Sequence, residues 1–212
     1  MDSQGSDWLS FAPLARRDLV LDRQTFRDAV ALRMGVPFPD PLPAYCPSCG
    51  EIFTVSHALQ CKKGGWVVKR HNDVARVWMA LFKRVSTIVE AEPLVGPPIG
   101  LTRSTTTRKV DAKADILVRG LFLALQDAYL DVAVMDTGAD SYVDRKAMSC
   151  LCDKQTKKHG KYDERVVSKG GVFKALVCSV YGTLAPEAKE ILSLVVKGLD
   201  KDRDEKRSRS AS

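Results

Sequence analysis

Apolar residues recur every three or four positions in three stretches of the chain, and this spacing predicts amphipathic helices there. The first helix is predicted from about Arg23 to Met34, with Gly35 able to close its end. The second begins at a predicted N-cap, Asn72, and runs to Arg84 or Val85. The third begins at about Pro186, because proline suits the first turn of a helix. Their apolar stripes are Phe26, Ala29, Val30 and Met34; then Val74, Val77, Trp78, Leu81, Phe82 and Val85; then Ile191, Leu192, Val195, Val196 and Leu199.

Shorter apolar runs between these helices predict strands. Two candidates are Ala114 to Val118 and Leu130 to Val134, and a buried strand is predicted in KALVCSVYG, residues 174–182. The β-rich run STIVEAEPLV precedes them, and the charged stretch from Asp144 to Val167 is predicted to be helical although Gly160 weakens its middle. The order of elements predicts an α/β fold of the mixed α+β kind, a small mixed β-sheet flanked by helices.

Four metal-binding residue types lie close together near the start of the chain. Cys46 and Cys49 are separated by two residues, and His57 and Cys61 by three. This spacing allows a short knuckle to surround one ion, and three thiolates with one imidazole are a common structural zinc set. The alternative is that the first two cysteines lie in a loop by chance while His57 and Cys61 pack as apolar residues on a short helix. The sequence favours a zinc knuckle.

Composition and charge narrow the possible classes of protein. The 212 residues are 45% hydrophobic and 28% charged, as in soluble globular proteins, and no apolar run approaches the length of a membrane span. Six cysteines without a disulfide framework and no leader sequence predict the nucleus or cytoplasm. The net charge of +7 is compatible with nucleic acid as a partner but does not distinguish DNA from RNA. A larger protein or ribonucleoprotein complex is a further candidate partner, and the preference for DNA over RNA rests on the family resemblance described below.

Two aspartates stand in strands that are otherwise apolar. Asp115 lies in KADILV and Asp131 in LDVAV, and pairing of the two strands would bring their carboxylates within a few ångströms. A hard cation such as Mg²⁺ or Mn²⁺ would neutralise the pair, and such an ion can activate water against a phosphodiester. The alternative is that both are strand-end residues that face solvent or cap a turn.

Several of these motifs together resemble a known family. The knuckle followed by KKGGWVVKRHNDV, the pair Glu92 and Pro93, the strands KADI and LDVAV, the lysine-rich helix ending KYDERV, and FKALVCSVYG are similar to the C-terminal part of non-long-terminal-repeat retrotransposon polyproteins. That part combines a Cys-Cys-His-Cys zinc knuckle with a restriction-like endonuclease of the PD-(D/E)XK class. The resemblance covers roughly residues 8–199. Since these 212 residues contain no reverse transcriptase, it implies a fragment of an element or a gene derived from one.

The resemblance implies nicking of target DNA by a metal-dependent site. Asp115 and Asp131 would bind magnesium, and Asp73 or Glu92 would supply a further acidic group. Ala133 stands where the motif has lysine, but in this family the lysine can come from the following helix, where Lys158 matches, with Lys157 and Lys161 nearby. A second hypothesis is a zinc-stabilised nucleic-acid-binding or assembly protein that keeps the fold without the chemistry.

The remaining predictions concern the basic residues and the division of the chain. A nucleic-acid contact is predicted for Lys62, Lys63, Lys69, Arg70 and His71, with the last two near a helix start; alternatively His71 packs against the knuckle, and the lysine runs are solvated faces. Cys150, Cys152 and His159 suggest buried thiols more than a second metal site. The predicted units are an N-terminal arm and helix, 1–43; the knuckle, 44–66; the nuclease-like domain, 67–199; and a disordered charged tail, 200–212.

Overall fold

A computed structural model describes residues 21–96, 112–142 and 144–210. The predicted N-terminal arm before residue 21 lies outside these described residues. Within them, five α-helices are Arg23–Met34 (α1), Val55–Gln60 (α2), Trp66–Phe82 (α3), Ala147–Val167 (α4) and Pro186–Ser210 (α5). None of the helices in the described ranges is long and apolar enough to cross a membrane.

The described residues contain six strands in two sheets. The strands are Val89–Ala91 (β1), Leu94–Gly96 (β2), Ala112–Lys113 (β3), Ile116–Arg119 (β4), Asp127–Met135 (β5) and Val172–Ser179 (β6). The larger sheet has the order β1-β4-β5-β6, and β2 pairs with β3 in a small ladder. The pairs β1–β4 and β4–β5 are antiparallel whereas β5–β6 is parallel, so the prediction of a mixed sheet flanked by helices is confirmed.

Helices cover both faces of the larger sheet, because alternate residues of its strands are apolar on each side. On one face α4 packs against Leu117, Tyr129 and Phe173. On the other face the core joins Trp78 and Phe82 of α3 to Ile191 and Val195 of α5, with Leu130, Val132 and Leu176 between them. The result is three layers. Tyr129 and Ala133 of β5 are packed on the face that α4 covers. Because side chains alternate along a strand, Asp131, which lies between them, is on the same face.

Two helix boundaries differ from the predictions. Helix α3 begins at Trp66, not after Asn72, because Gly65 adopts a left-handed conformation (φ 71°) and ends the preceding turn there. Helix α5 continues to Ser210, through most of the segment for which composition predicts disorder. The lysines, arginines and glutamate of DKDRDEKR are good helix formers although its aspartates are not, and α5 enters this segment already nucleated by its packed first half.

Gly160, within α4, and Gly171, just after it, predict opposite effects of an added methyl group. A Cβ at Gly171 would lie 3.0 Å from the carbonyl oxygen of Asp127 and 3.1 Å from a methyl of Val166, whereas a Cβ at Gly160 would meet nothing within 4 Å. We expect Gly171→Ala to lower the free energy of unfolding by about 1–2 kcal/mol through overpacking. Gly160→Ala should raise it by up to about 1 kcal/mol, because alanine favours the helix.

Urea unfolding of the two variants beside the parent measures this difference. Equal effects of the two substitutions would contradict the close approach of the α4–β6 turn to β5.

Candidate zinc centre and acidic site

The first two predicted zinc ligands lie on a tight hairpin. Tyr45 and Ile52 form an antiparallel bridge, and inside it the Cys46 N–H donates to the Glu51 carbonyl at 2.8 Å. The Gly50 N–H donates back to the Cys46 carbonyl at 2.9 Å, and Gly50 has a φ of 79°, which glycine adopts without steric cost. This turn brings the thiols of Cys46 and Cys49 to the same side.

The other two ligands come from the short helix α2. The Thr54 side chain caps the helix by accepting the His57 N–H at 3.0 Å, and the Cys61 N–H donates to the His57 carbonyl at 2.8 Å. Residues four apart lie on one face of a helix, so the imidazole and the thiol both point toward the hairpin.

The four ligand atoms form a compact group, all within 4.8 Å of one another. The Cys46 and Cys61 sulfurs are 3.9 Å apart, the Cys49 and Cys61 sulfurs 3.8 Å apart, and the Cys49 sulfur is 3.2 Å from His57 Nε2. Sulfurs at about 2.3 Å from a tetrahedral zinc would be separated by about 3.8 Å. The Cys3His cluster can therefore hold a metal ion such as zinc.

Hydrogen bonds to the Cys46 sulfur favour the thiolate, which is the form of cysteine that binds metal. The Ser48 backbone N–H hydrogen-bonds to Cys46 and, with further bonds from His57 and Cys49, lowers the pKa of the Cys46 thiol to about 6, against the opposing effect of burial. At neutral pH this cysteine is therefore largely thiolate, the state that coordinates metal.

Two side-chain hydrogen bonds among the described residues join the segment of the Cys3His cluster, the predicted knuckle, to the rest of the fold. Arg70 of α3 donates through Nη2 to the Leu59 carbonyl at 2.9 Å, and Gln60 donates to Asp136, just after β5, at 3.1 Å. Arg70 therefore supports the knuckle instead of lying at a helix start, where it was predicted to meet phosphate. Because α3 begins at Trp66, the free amides of its first turn precede Arg70 and His71.

The two predicted catalytic aspartates lie side by side. The Asp115 N–H donates to the Leu130 carbonyl at 3.0 Å, and Asp115 Oδ2 accepts the Val132 N–H at 2.6 Å. These bonds reach both chain neighbours of Asp131, which is 3% exposed. Burial and the negative charge of Asp131 raise the pKa of Asp115, despite hydrogen bonds from Val132 and His71. The pair therefore favours a cation between or beside its carboxylates.

Polar side chains on one face of helix α4, spaced one turn apart, lie next to this acidic pair. Lys158 Nζ forms an ion pair with Asp131 Oδ2, which accepts no hydrogen bond of good geometry among the described residues. Lys154 and Tyr162 lie one helical turn to either side of Lys158. Burial and the charge of Lys158 lower the pKa of Lys154, while burial and Asp131 raise the pKa of Tyr162. Lys158 was predicted from the sequence as a site residue, whereas Lys154 and Tyr162 were not, although each lies four residues from it.

His71 contacts the acidic pair from the opposite layer. Its Nε2 lies 3.2 Å from Asp115 Oδ1, and because α3 begins at Trp66, His71 lies within the helix and not at its start. The sequence could not indicate this contact, because the two residues are 44 positions apart and on different elements. Helix α3 thus joins the knuckle, through Arg70, to the acidic site, through His71.

The other predicted acidic groups point elsewhere. Asp73 pairs with Lys69 and Arg76 on the exposed side of α3, and the Glu92 carboxylate pairs with Lys113 at 3.2 Å. In the described part of the chain, the Cys3His cluster is the one group of three or more ligand residues that can share an ion. The two aspartates therefore lack a third acidic partner from either candidate.

The histidine of α4, His159, stabilises the helix that carries Lys158. His159 Nδ1 contacts Asp163 at 2.8 Å, and Nε2 contacts Glu187 of α5 at 2.9 Å. Burial lowers the pKa of His159, but the two carboxylates outweigh it and the pKa is raised. Cys150 is buried and Cys152 partly buried, and His159 is engaged by carboxylates. Among the described residues these three form no metal group.

Comparison with known proteins gives no assignment for this chain. No protein-family model matches it, and no curated protein matches it significantly.

Proposed function

We propose that this chain is a retrotransposon-derived, zinc-containing DNA endonuclease-like protein with a restriction-endonuclease-like fold, which hydrolyses a phosphodiester bond to nick its target. The observation that carries the proposal is the contact of Lys158 with Asp131 beside Asp115. Ala133 of β5 stands where the motif has lysine. Lys158 comes instead from α4, the helix that follows β5, and contacts the acidic pair. A lysine on a solvated helix face would not form an ion pair with a buried carboxylate.

The acidic pair suits a hard divalent cation. Asp131 Oδ2 is buried, and its contact among the described residues is the ion pair with Lys158, while the pKa of Asp115 is raised by burial and by its neighbour. Carboxylate oxygens are the ligands that Mg²⁺ and Mn²⁺ prefer. When bound, such an ion supplies positive charge that polarises water and the phosphodiester.

The protein groups around the pair have separate roles in this proposal. Lys158 holds a positive charge at Asp131, where it can stabilise charge that develops on the phosphate. Lys154 adds a second positive charge one turn away along α4. Tyr162 fixes α4 against the sheet, since its hydroxyl donates to the Lys113 carbonyl at 2.9 Å and accepts from Lys161 at 2.8 Å. His71 orients Asp115 from α3.

Zinc has a structural role in the same proposal. Its four ligands use all the tetrahedral positions, which leaves none for a substrate. The bond from Arg70 to Leu59 then fixes the knuckle to α3, whose His71 contacts Asp115. Zinc binding would thereby order one wall of the acidic site.

Nicking of supercoiled plasmid tests the endonuclease. Zinc-loaded protein in Mg²⁺ or Mn²⁺ should convert supercoiled plasmid to open circles, and Asp115→Asn and Asp131→Asn should each abolish this conversion without changing zinc content. Asp127→Asn is the matched control, because Asp127 also lies on β5 but pairs with Arg119 at the far end of the strand. Intact plasmid across a range of metals and salts, or equal cutting by the two site variants, would reject the endonuclease.

A second candidate is a nucleic-acid-binding or assembly protein without catalysis. Ala133 and the absence of a third ligand beside Asp115 and Asp131 in the described residues favour it. Under this alternative the plasmid stays intact while DNA binding persists and weakens with salt, because lysine and arginine displace counterions in either case.

A further inference from the structure

An open groove runs across the face of the knuckle next to the N-terminal end of α3. Its volume is about 440 Å³, and it is lined by Pro43, Pro47, Phe53, Ala58 and Trp66 together with two of the zinc ligands. Trp66 is the first residue of α3 and keeps 61% of its surface exposed. The indole therefore presents much of its area to whatever enters the groove.

The segment that joins two lining residues of this groove is basic. Lys62 and Lys63 are exposed and lie in the chain between Cys61 and Trp66, both of which line the groove. Neither lysine pairs with an acidic group in the part of the chain that the structure describes. Lys69, one turn along α3 from Trp66, pairs with Asp73 and so adds less free charge. The acidic Glu51 lines a separate hollow with Asp140.

An apolar groove with an exposed aromatic residue, next to a segment with two exposed lysines, is complementary to a planar group that carries a negative charge. A nucleotide has both features, since every base offers a flat face for stacking and its phosphates meet lysine. A hydrophobic peptide would fill the groove without using Lys62 and Lys63. A base inside a duplex is excluded because both of its faces are already covered by neighbouring bases.

We propose that this groove binds one unpaired nucleobase, stacked on Trp66, with Lys62 and Lys63 contacting the flanking phosphates. The inference deepens the proposed function by naming the feature of DNA that the knuckle recognises, an unpaired or extruded nucleotide within a duplex. Stacking on one aromatic side chain typically changes affinity by roughly 5- to 150-fold. The knuckle would thus select where on DNA the protein sits.

Binding measured without Mg²⁺ or Mn²⁺ tests this inference independently of cleavage. Fluorescence anisotropy compares the zinc-loaded full chain on a labelled duplex and on the same duplex with one bulged nucleotide. We expect the bulged duplex to bind at least 5-fold more tightly. Trp66→Leu, which keeps an apolar side chain but cannot stack, should remove this preference, and Trp66→Phe should retain most of it.

Matched variants separate stacking from charge. Val68→Ala alters another exposed apolar residue of α3 that does not line the groove, and it should leave the preference unchanged. Lys62→Ala with Lys63→Ala should weaken both duplexes and reduce the salt dependence. Equal binding of the two duplexes by the parent, or a preference that survives Trp66→Leu, would overturn the inference even if nicking is observed.

Discussion

Cys49→Ser is expected to reduce bound zinc from about one ion per chain to less than about a tenth of that, because a hydroxyl replaces one of four coordinating groups. The remaining hairpin bonds, such as that from Gly50 to Cys46, are short-range and cannot hold the knuckle alone. Amide hydrogen exchange should therefore become fast throughout 44–61, while β5 and β6 stay protected. Metal analysis and exchange mass spectrometry measure the two effects.

Cys152→Ser is the matched control for zinc loss. Cys152 is partly buried on α4 and belongs to no metal group in the described residues, so zinc content should stay the same. Full zinc content in Cys49→Ser, or loss of zinc in Cys152→Ser, would show that the Cys3His cluster is not the metal site.

Lys158→Met is expected to lower the free energy of unfolding by about 2–3 kcal/mol, because the carboxylate of Asp131 loses its cation in a buried position. This figure lies below the range for fully buried pairs, since the Lys158 side chain remains 21% exposed. If the chain is an endonuclease, the same variant should nick about 10²–10³-fold more slowly. Urea unfolding and the plasmid assay measure the two losses.

A double-mutant cycle identifies the cause of this destabilisation. Adding Asp131→Asn to Lys158→Met removes the uncompensated charge and should recover most of the lost stability. Lys157→Met, one residue away on the exposed side of α4, should change stability by less than about 0.5 kcal/mol. If the double variant is no more stable than Lys158→Met, the ion pair does not explain the loss.

The Cys3His cluster could be predicted from sequence because its geometry is local. Four ligands within sixteen residues, with Gly50 at the turn, leave the chain few other arrangements. The central strands were also predictable, since buried strands are marked by continuous apolar runs. For these elements the sequence pattern and the packed structure carry the same information.

The surroundings of the acidic pair were less predictable because they depend on long-range packing. Nothing near His71 in the sequence points to Asp115, and the contact depends on how α3 lies across the sheet. Lys154 and Tyr162 were missed because the sequence of a highly charged helix does not show which of its faces lies against a sheet and which faces solvent. The start of α3 was misplaced because Asn72 has the usual N-cap chemistry, whereas Gly65 ends the turn by its backbone alone.

The order of the strands determines when the parts of the acidic site can meet during folding. β4 and β5 are joined by 120–126, whereas the parallel pair β5 and β6 is joined by 136–171, which contains α4. Short loops close at a lower cost in chain entropy and form earlier. Asp115 and Asp131 are therefore expected to come together before α4 brings Lys158. The β4–β5 hairpin must therefore form against the repulsion of the two carboxylates. Lys158 then stabilises the paired strands by neutralising one of these charges.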